Sequence, residues 1–399
     1  MNLDIYGTLM AASLVLLLGG KLVAWTPPLR AYSIPEPVAG GLLVALAVFA
    51  AHAFAGYNVS FDTRMQTPLL LTFFASIGLN ADLASLKLGG RKLVVFLCVV
   101  LGLLFMQDLV GVVLASVLGF QPHVGLLAGS IALSGGHGTG AAWGALFVER
   151  HGVHYAIEIA MACATFGLVL GGIVGGPVAK FLVGRVPKPA GWDDAKDEPT
   201  IFEHPGEDRR ITAPAVIETI ALVAVSLLCG NALSGWLRGS ALELPAFVCA
   251  LFVGVLLRNG LQALGCYSVF DRAVSVLGNV ALSLFLAMAL MTLRIWDLSA
   301  LALPMLLLLA AQTALMVSYA IFVTFRIMGK NYDAAVIAAG HCGFGLGATP
   351  TAIANMQAVT DRYGPSRLAF LIVPLVGAFF IDIANALIIK LFLALPHLQ

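Results

Sequence analysis

SGGHGTGAA, residues 134–142, and GHCGFGLGATPT, residues 340–351, decide how this chain is read. Each sits inside a mildly apolar stretch, 125–147 and 334–359, and its glycines alternate with Ser, Thr or His. A glycine within a helix costs ~1 kcal/mol relative to alanine. In lipid, broken backbone is tolerated only where protein or water satisfies its polar groups. The expected solution at each place is a re-entrant helical hairpin, with two short limbs meeting at a glycine tip near the bilayer midplane. The start of each second limb then presents unpaired backbone N–H groups, where aligned peptide dipoles amount to about half a positive charge. A carboxylate can be held there without a buried arginine.

The rest of the chain calls for a membrane. Sixty per cent of its 399 residues are apolar, 11% are charged and the mean hydropathy is +0.96. A soluble chain carries roughly a quarter of its positions charged. Apolar windows long enough to span follow one another at 5–25, 37–54, 68–86, 93–118 and 155–183, then at 213–236, 245–257, 273–293, 300–325 and 367–393. No arginine lies deep in any of them. The opening MNLD lacks the basic n-region of a cleavable signal, and the positive charges Lys21 and Arg30 come after the first apolar run. A net charge of +1 without a basic arm gives no reason to expect a nucleic-acid partner. The six cysteines show no CxxC spacing and are read as packing residues.

Two halves share an order of landmarks. Pro37 matches Pro245, DLASL (82–86) matches DLSAL (297–301), and Gln107 matches Gln312. The glycine segments follow, then ERHG (149–152) against DRYG (361–364), and Lys180 against Lys390. Five spans per half is an odd number, so the copies must be inverted, as in many secondary transporters. With the N-terminus outside and both glycine segments re-entrant, 17 of the 22 Lys and Arg residues fall inside. That is the asymmetry the positive-inside rule demands. The expected fold class is therefore an all-α polytopic membrane protein of two inverted five-helix repeats, residues 1–183 and 213–399, each with a re-entrant hairpin. A polar linker, 184–212, joins them on the cytoplasmic side, and both termini are periplasmic.

Other polar residues in apolar surroundings are candidates for a site. Thr139, Thr349 and Thr351 can donate hydroxyls to a carboxylate or lend oxygens to a cation. Asp382, in FIDIANAL with Asn385 close by, calls for a cationic partner, either an ion or a substrate ammonium group. Asn80 and Asn279 are oxygen donors or helix–helix glue. Asp108 has a neutral counterpart, Thr313, in the second half and is left without a role. His137 and His341 sit among glycines, where a ring nitrogen can bond backbone, and His341 reads as structural. The glycines of 167–176, with Gly40 and Gly41, read as close helix packing. No nucleophile–base pair or metal cluster suggests an enzyme, and unlike, neutral tips do not suggest a channel filter. Residues alone give a transporter for a small anion.

IPEPVAGGLLVAL (34–46), FFASIGLNA (73–81), LAGSIALSGGHGTGAAW (127–143), MACATFGLVLGG (161–172), GHCGFGLGATPTAIANMQA (340–358) and FFIDIANAL (379–387) closely resemble the sodium/glutamate symporter family. The resemblance implies ten spans, two re-entrant hairpins, a homodimer in the bacterial inner membrane and elevator-like, sodium-coupled uptake of L-glutamate, with no cofactor besides the coupling ion. A citrate or dicarboxylate carrier on the same scaffold is the alternative. The family's tip motifs map onto Ser134, Gly135, Gly136, His137, Gly138, Thr139 and Gly140, and onto Gly343, Gly345, Gly347, Ala348 and Thr349, as substrate contacts. Thr351, Asp382, Asn385, Asn80 and Asn279 are the residues expected to serve sodium.

Overall fold

The structure, a computed structural model, describes residues 2–31, 34–56, 59–186, 211–239, 244–265, 267–292 and 302–395. The DLSAL landmark and most of the polar linker lie outside the described residues. Among the described residues seventeen helices follow in order: α1 (Ile5–Trp25), α2 (Pro27–Ala31), α3 (Glu36–Ala55), α4 (Gln66–Asn80), α5 (Ser85–Val117), α6 (Pro122–Leu126), α7 (Gly136–His151), α8 (Ala156–Val183), α9 (Ala213–Leu237), α10 (Ala246–Ala263), α11 (Asp271–Met291), α12 (Ala302–Tyr319), α13 (Phe325–Ile327), α14 (Tyr332–Leu346), α15 (Thr349–Tyr363), α16 (Arg367–Leu375) and α17 (Ile381–Leu393). Wide π-turns sit at Leu127–Ile131, Ala320–Thr324 and Val376–Phe380. One parallel pair of two-residue strands, β1 (Asn2–Leu3) and β2 (Ser60–Phe61), completes the set. Among the described residues, seven helices are long and apolar enough to cross a membrane: α1, α5 from Gly90, α8, α9, α10, α11 and the run from α12 through α13.

The chain divides into two compact bodies, and each draws on both halves of the sequence. The first comprises residues 1–83, 137–161 and 211–303; the second comprises 84–136, 162–210 and 304–399.

In the first body, α4 packs between α10 and α11, α1 lies on α3, and α9 lies on α10. Each pairing has a counterpart with the halves exchanged: α1–α3 answers α9–α10, and α3–α11 answers α10–α4. Small residues make the crossings, since lipid offers no hydrophobic drive between helices and close backbone approach must supply it. Gly78 rests on the Leu251 carbonyl, Gly40 on the Val15 carbonyl, and Gly230 on the backbone of Ala250. Gly41 meets the Leu290 side chain, so the Gly40–Gly41 pair serves packing on two sides, as the sequence suggests.

Two sequence expectations change here. The third window, 68–86, is not one helix: α4 stops at Asn80. Asn259 holds the break, because its Oδ1 accepts the Leu83 N–H at 2.9 Å and its Nδ2 donates to the Ala81 carbonyl at 2.9 Å. The seventh window extends beyond Leu257, which brings Arg258 inside α10 and buries it. Arg258 donates to the Val269 carbonyl at 3.1 Å and to Asp271 Oδ1 at 2.6 Å. Arg258→Met is expected to orphan that carbonyl and cost about 1–3 kcal/mol, seen as a lower Tm of the purified protein in detergent. An unchanged Tm would show that the clamp between α10 and α11 contributes nothing.

In the second body, Phe96, Val100 and Leu104 of α5 pack with Val336 and Phe344 of α14, Met356 of α15, and Phe370 and Val373 of α16. Every residue of α14 from Ala334 to Leu346 is buried. A helix apolar all round belongs inside a protein, and this one does.

A candidate functional site at two helix breaks

The α14–α15 pair is an antiparallel hairpin. A methyl group on Gly343 would lie 2.5 Å from the backbone of Ala352, and Gly340 faces Met356. Asn355 Nδ2 donates to the Ala339 carbonyl at 3.3 Å, so residue numbers on facing positions run in opposite senses. The turn is only Gly347 and Ala348. Gly347 takes φ −145°, ψ −98°, Ala348 is extended, and Pro350 follows at the start of α15. Proline lacks an N–H and prefers the first helical turn, which explains a restart so soon after a stop. No side chain caps α15 at Ala348. The Thr349 and Thr351 amides therefore belong to the unpaired set every helix start carries.

The first glycine segment is broken as well. The π-turn at Leu127–Ile131 contains Gly129 at φ −98°, ψ −134°, the Ser134 and Gly135 amides both return to the Ser130 carbonyl, and Gly136 takes φ +68°. Glycine adopts that left-handed backbone without a Cβ penalty. This break meets the other. Ser134 Oγ lies 3.1 Å from the Gly345 carbonyl, which ends α14 without a helical partner, and 2.6 Å from Gln107 Oε1. Gln107 Nε2 donates to the same carbonyl at 2.7 Å. Gln312 Nε2 donates to the Gln107 carbonyl at 2.7 Å, and so anchors α5 from α12. The nearest atom to a methyl placed on Gly136 is the Gly347 carbonyl, at 3.6 Å.

A stripe on α8 lies against the hairpin. Gly167 faces the Leu346 carbonyl, Gly171 the Gly343 carbonyl, and Gly175 the Asn355 amide. Asn355 Nδ2 also donates to the Gly171 carbonyl at 2.9 Å. The packing role read for glycines 167–176 fits this contact, in which Cα–H groups approach the carbonyls that end α14.

The structure distributes the sequence candidates as follows. Ser134, Gly135, Gly136, Gly343, Gly345, Gly347, Ala348, Thr349, Thr351, Asp382 and Asn385 belong to the second body. His137, Gly138, Thr139, Gly140, Asn80 and Asn279 belong to the first. Within the second body, Ser134 joins Gly345, Gly136 comes near Gly347, and Gly343 backs onto Thr351 and Ala352. Thr351 is buried with its hydroxyl oxygen unpartnered, and Asp382 is partly exposed in the first turn of α17. Asn385 is buried and donates to the Ser130 carbonyl at 3.0 Å. In the first body, Gly138 packs on Phe73 and Leu282, Asn80 ends α4 and donates to Ser275 Oγ at 3.0 Å, and Asn279 is exposed. His341 bonds Thr324 Oγ1 at 2.9 Å inside a box of Phe96, Tyr319 and Phe344, a structural setting.

Gln107, Gln312, Asn355 and Ser130 stand outside the site residues expected from the sequence. The signal was available: a lone amide within a 20-residue apolar window has to find its bonds inside the protein.

Residues 1–365 match the family described as sodium/glutamate symporter. The chain is 63% identical over 395 residues to the sodium/glutamate symporter of Escherichia coli K12, covering 99% of this chain and 98% of that protein. It is 52% identical over 395 residues to the protein of that name from Haemophilus influenzae, covering 98% of each.

Proposed function

The chain belongs to the sodium/glutamate symporter family, and from that premise we propose that it carries L-glutamate into the cell together with sodium. The observation that carries this reading is the meeting of two helix breaks at the Gly345 carbonyl, with the uncapped start of α15 two residues beyond the tip. The tip residues Ser134, Gly135, Gly136, Gly343, Gly345, Gly347, Ala348 and Thr349 line the substrate carboxylates. Thr351, Asp382 and Asn385 supply oxygens for sodium and for the ammonium group. Positive charge from the ion offsets the anion, so each favours binding of the other, which is the basis of coupling.

In this reading the chain is a ten-span homodimer of the bacterial inner membrane with both termini periplasmic, its halves are inverted repeats, and its glycine segments are re-entrant. The exchange of halves in the helix pairings of the first body supports the duplication. An elevator movement, in which the second body carries the substrate, is supported by the division into two compact bodies with the meeting tips in one of them. The reading is tested by uptake of labelled L-glutamate into proteoliposomes with sodium and proton gradients imposed separately. An inward sodium gradient is expected to drive accumulation, and a proton gradient alone to drive none. Proton-driven uptake that ignores sodium would overturn it.

A further inference from the structure

Ser130, in the first π-turn, sits at the centre of an imbalance of charge. Its amide N–H donates to Asp108 Oδ1 at 2.9 Å, and its carbonyl accepts from Asn385 Nδ2 at 3.0 Å. All three residues are fully buried, with 0% of their surface exposed. Three oxygens of the trio remain without a hydrogen-bond partner: Asp108 Oδ2, Ser130 Oγ and Asn385 Oδ1. Buried polar atoms are almost always satisfied, and an orphan calls for a specific explanation such as an ion.

Counting protons sharpens the point. With Asp108 ionised, its carboxylate and the Asn385 amide oxygen can only accept, and the free protons of the trio are the one on the Ser130 hydroxyl and the second N–H of Asn385 Nδ2. Asn385 has its amide orientation fixed by the bond to the Ser130 carbonyl, so it cannot turn a donor inward. The hydroxyl can serve one of the two orphaned acceptors, Asp108 Oδ2 or Asn385 Oδ1, and in the ionised state the other is left. Glycine lets the chain approach closely here: a methyl on Gly129 would lie 2.9 Å from Asp108 Oδ1 and 3.1 Å from the Gln107 carbonyl. What is missing is positive charge, which a proton on the carboxylate or a cation among the hard oxygens would supply.

We propose that Asp108, Ser130 and Asn385 form a site for the coupling sodium ion, with Asp108 as its carboxylate ligand and Asp382 left to the ammonium group; this rests on the symport reading above. One carboxylate with two neutral oxygens suits a single positive charge, whereas divalent ions gather more carboxylates or near-octahedral shells. The π-turn places the site within the first broken segment, where transporters use unwound backbone to hold ions. Ser130 lies four residues before Ser134, so an ion at the trio would order the segment whose tip bonds the Gly345 carbonyl.

Two readouts on the purified full-length protein test the assignment: the shift of Tm in detergent on replacing choline chloride with sodium chloride, without glutamate, and the sodium dependence of glutamate uptake in proteoliposomes. Ser130→Ala removes only an orphaned hydroxyl, so a merely structural role predicts no change in either. As a ligand, its loss is expected to raise the half-saturating sodium concentration about tenfold. Asp108→Asn is expected to abolish the sodium-induced Tm shift. Wild-type sodium dependence in the Ser130→Ala variant would overturn the site while leaving symport intact. Absence of any sodium effect on the wild type would overturn the symport reading and the site together.

Discussion

Gly343→Ala is expected to reach the membrane and transport almost no glutamate. The added methyl would lie 2.5 Å from both Cα and N of Ala352 and 2.8 Å from the Thr351 carbonyl carbon. Ordinary carbon contacts are ~3.5–4.0 Å, and these neighbours are backbone, so no rotamer change relieves the overlap. The hairpin must open by roughly an ångström at the point where α15 begins. A misplacement of that size can cost ~100-fold where geometry is tightly set. Gly345→Ala is the matched control. Its methyl meets only Met316 Sδ at 2.8 Å and Leu103 Cδ2 at 3.0 Å, the far ends of two flexible side chains. Two glycines in one motif, two residues apart, should therefore give a near-complete loss and a modest one. Uptake rates normalised to protein reconstituted in liposomes would measure the difference. Equal activity in both variants would mean that the α14–α15 interface does not govern transport.

The contrast between these glycines shows what the sequence holds and what it withholds. That both segments are broken was legible, because glycine clusters inside spanning stretches admit few other solutions. Seven of the ten apolar windows reappear among the described residues as helices long and apolar enough to cross a membrane, since hydropathy and length govern that choice in lipid. Which glycine is pressed against backbone depends on helix rotation, and one-dimensional spacing does not supply it. Nor did spacing reveal that α4 ends at Asn80: the cause is Asn259, 179 positions away, holding the chain through its amide. Asp108 has a neutral counterpart, Thr313, so symmetry between the halves gives it no role, and its burial against the Ser130 amide comes from tertiary contacts that spacing does not show. Gln107 was noticed only as a landmark. Its value is set by what it touches, the Gly345 carbonyl and Ser134, and those partners lie 238 and 27 residues away.

That junction carries the second large effect. The Gly345 carbonyl, left over at the end of α14, has two donors available, Gln107 Nε2 at 2.7 Å and Ser134 Oγ at 3.1 Å. In Gln107→Leu the serine hydroxyl turns wholly to the carbonyl, so the acceptor stays satisfied and the loss is expected to be small. In Ser134→Ala the carbonyl keeps the glutamine, while Gln107 Oε1 loses its one donor among the described residues and is orphaned in a buried site. Removing both donors leaves the carbonyl bare, and an unsatisfied buried group costs ~1–3 kcal/mol. It also severs the side-chain bonds that join the two helix breaks. The double variant is therefore expected to lose uptake by about 100-fold and to fall well outside the sum of the single effects, as contacting residues do. A four-member cycle, read as glutamate uptake and as Tm, distinguishes the outcomes. Additive, small effects would mean that the breaks are held together by packing alone. Strong coupling in uptake without a matching change in Tm would place the junction in the transport cycle, because a purely structural bond would move both together.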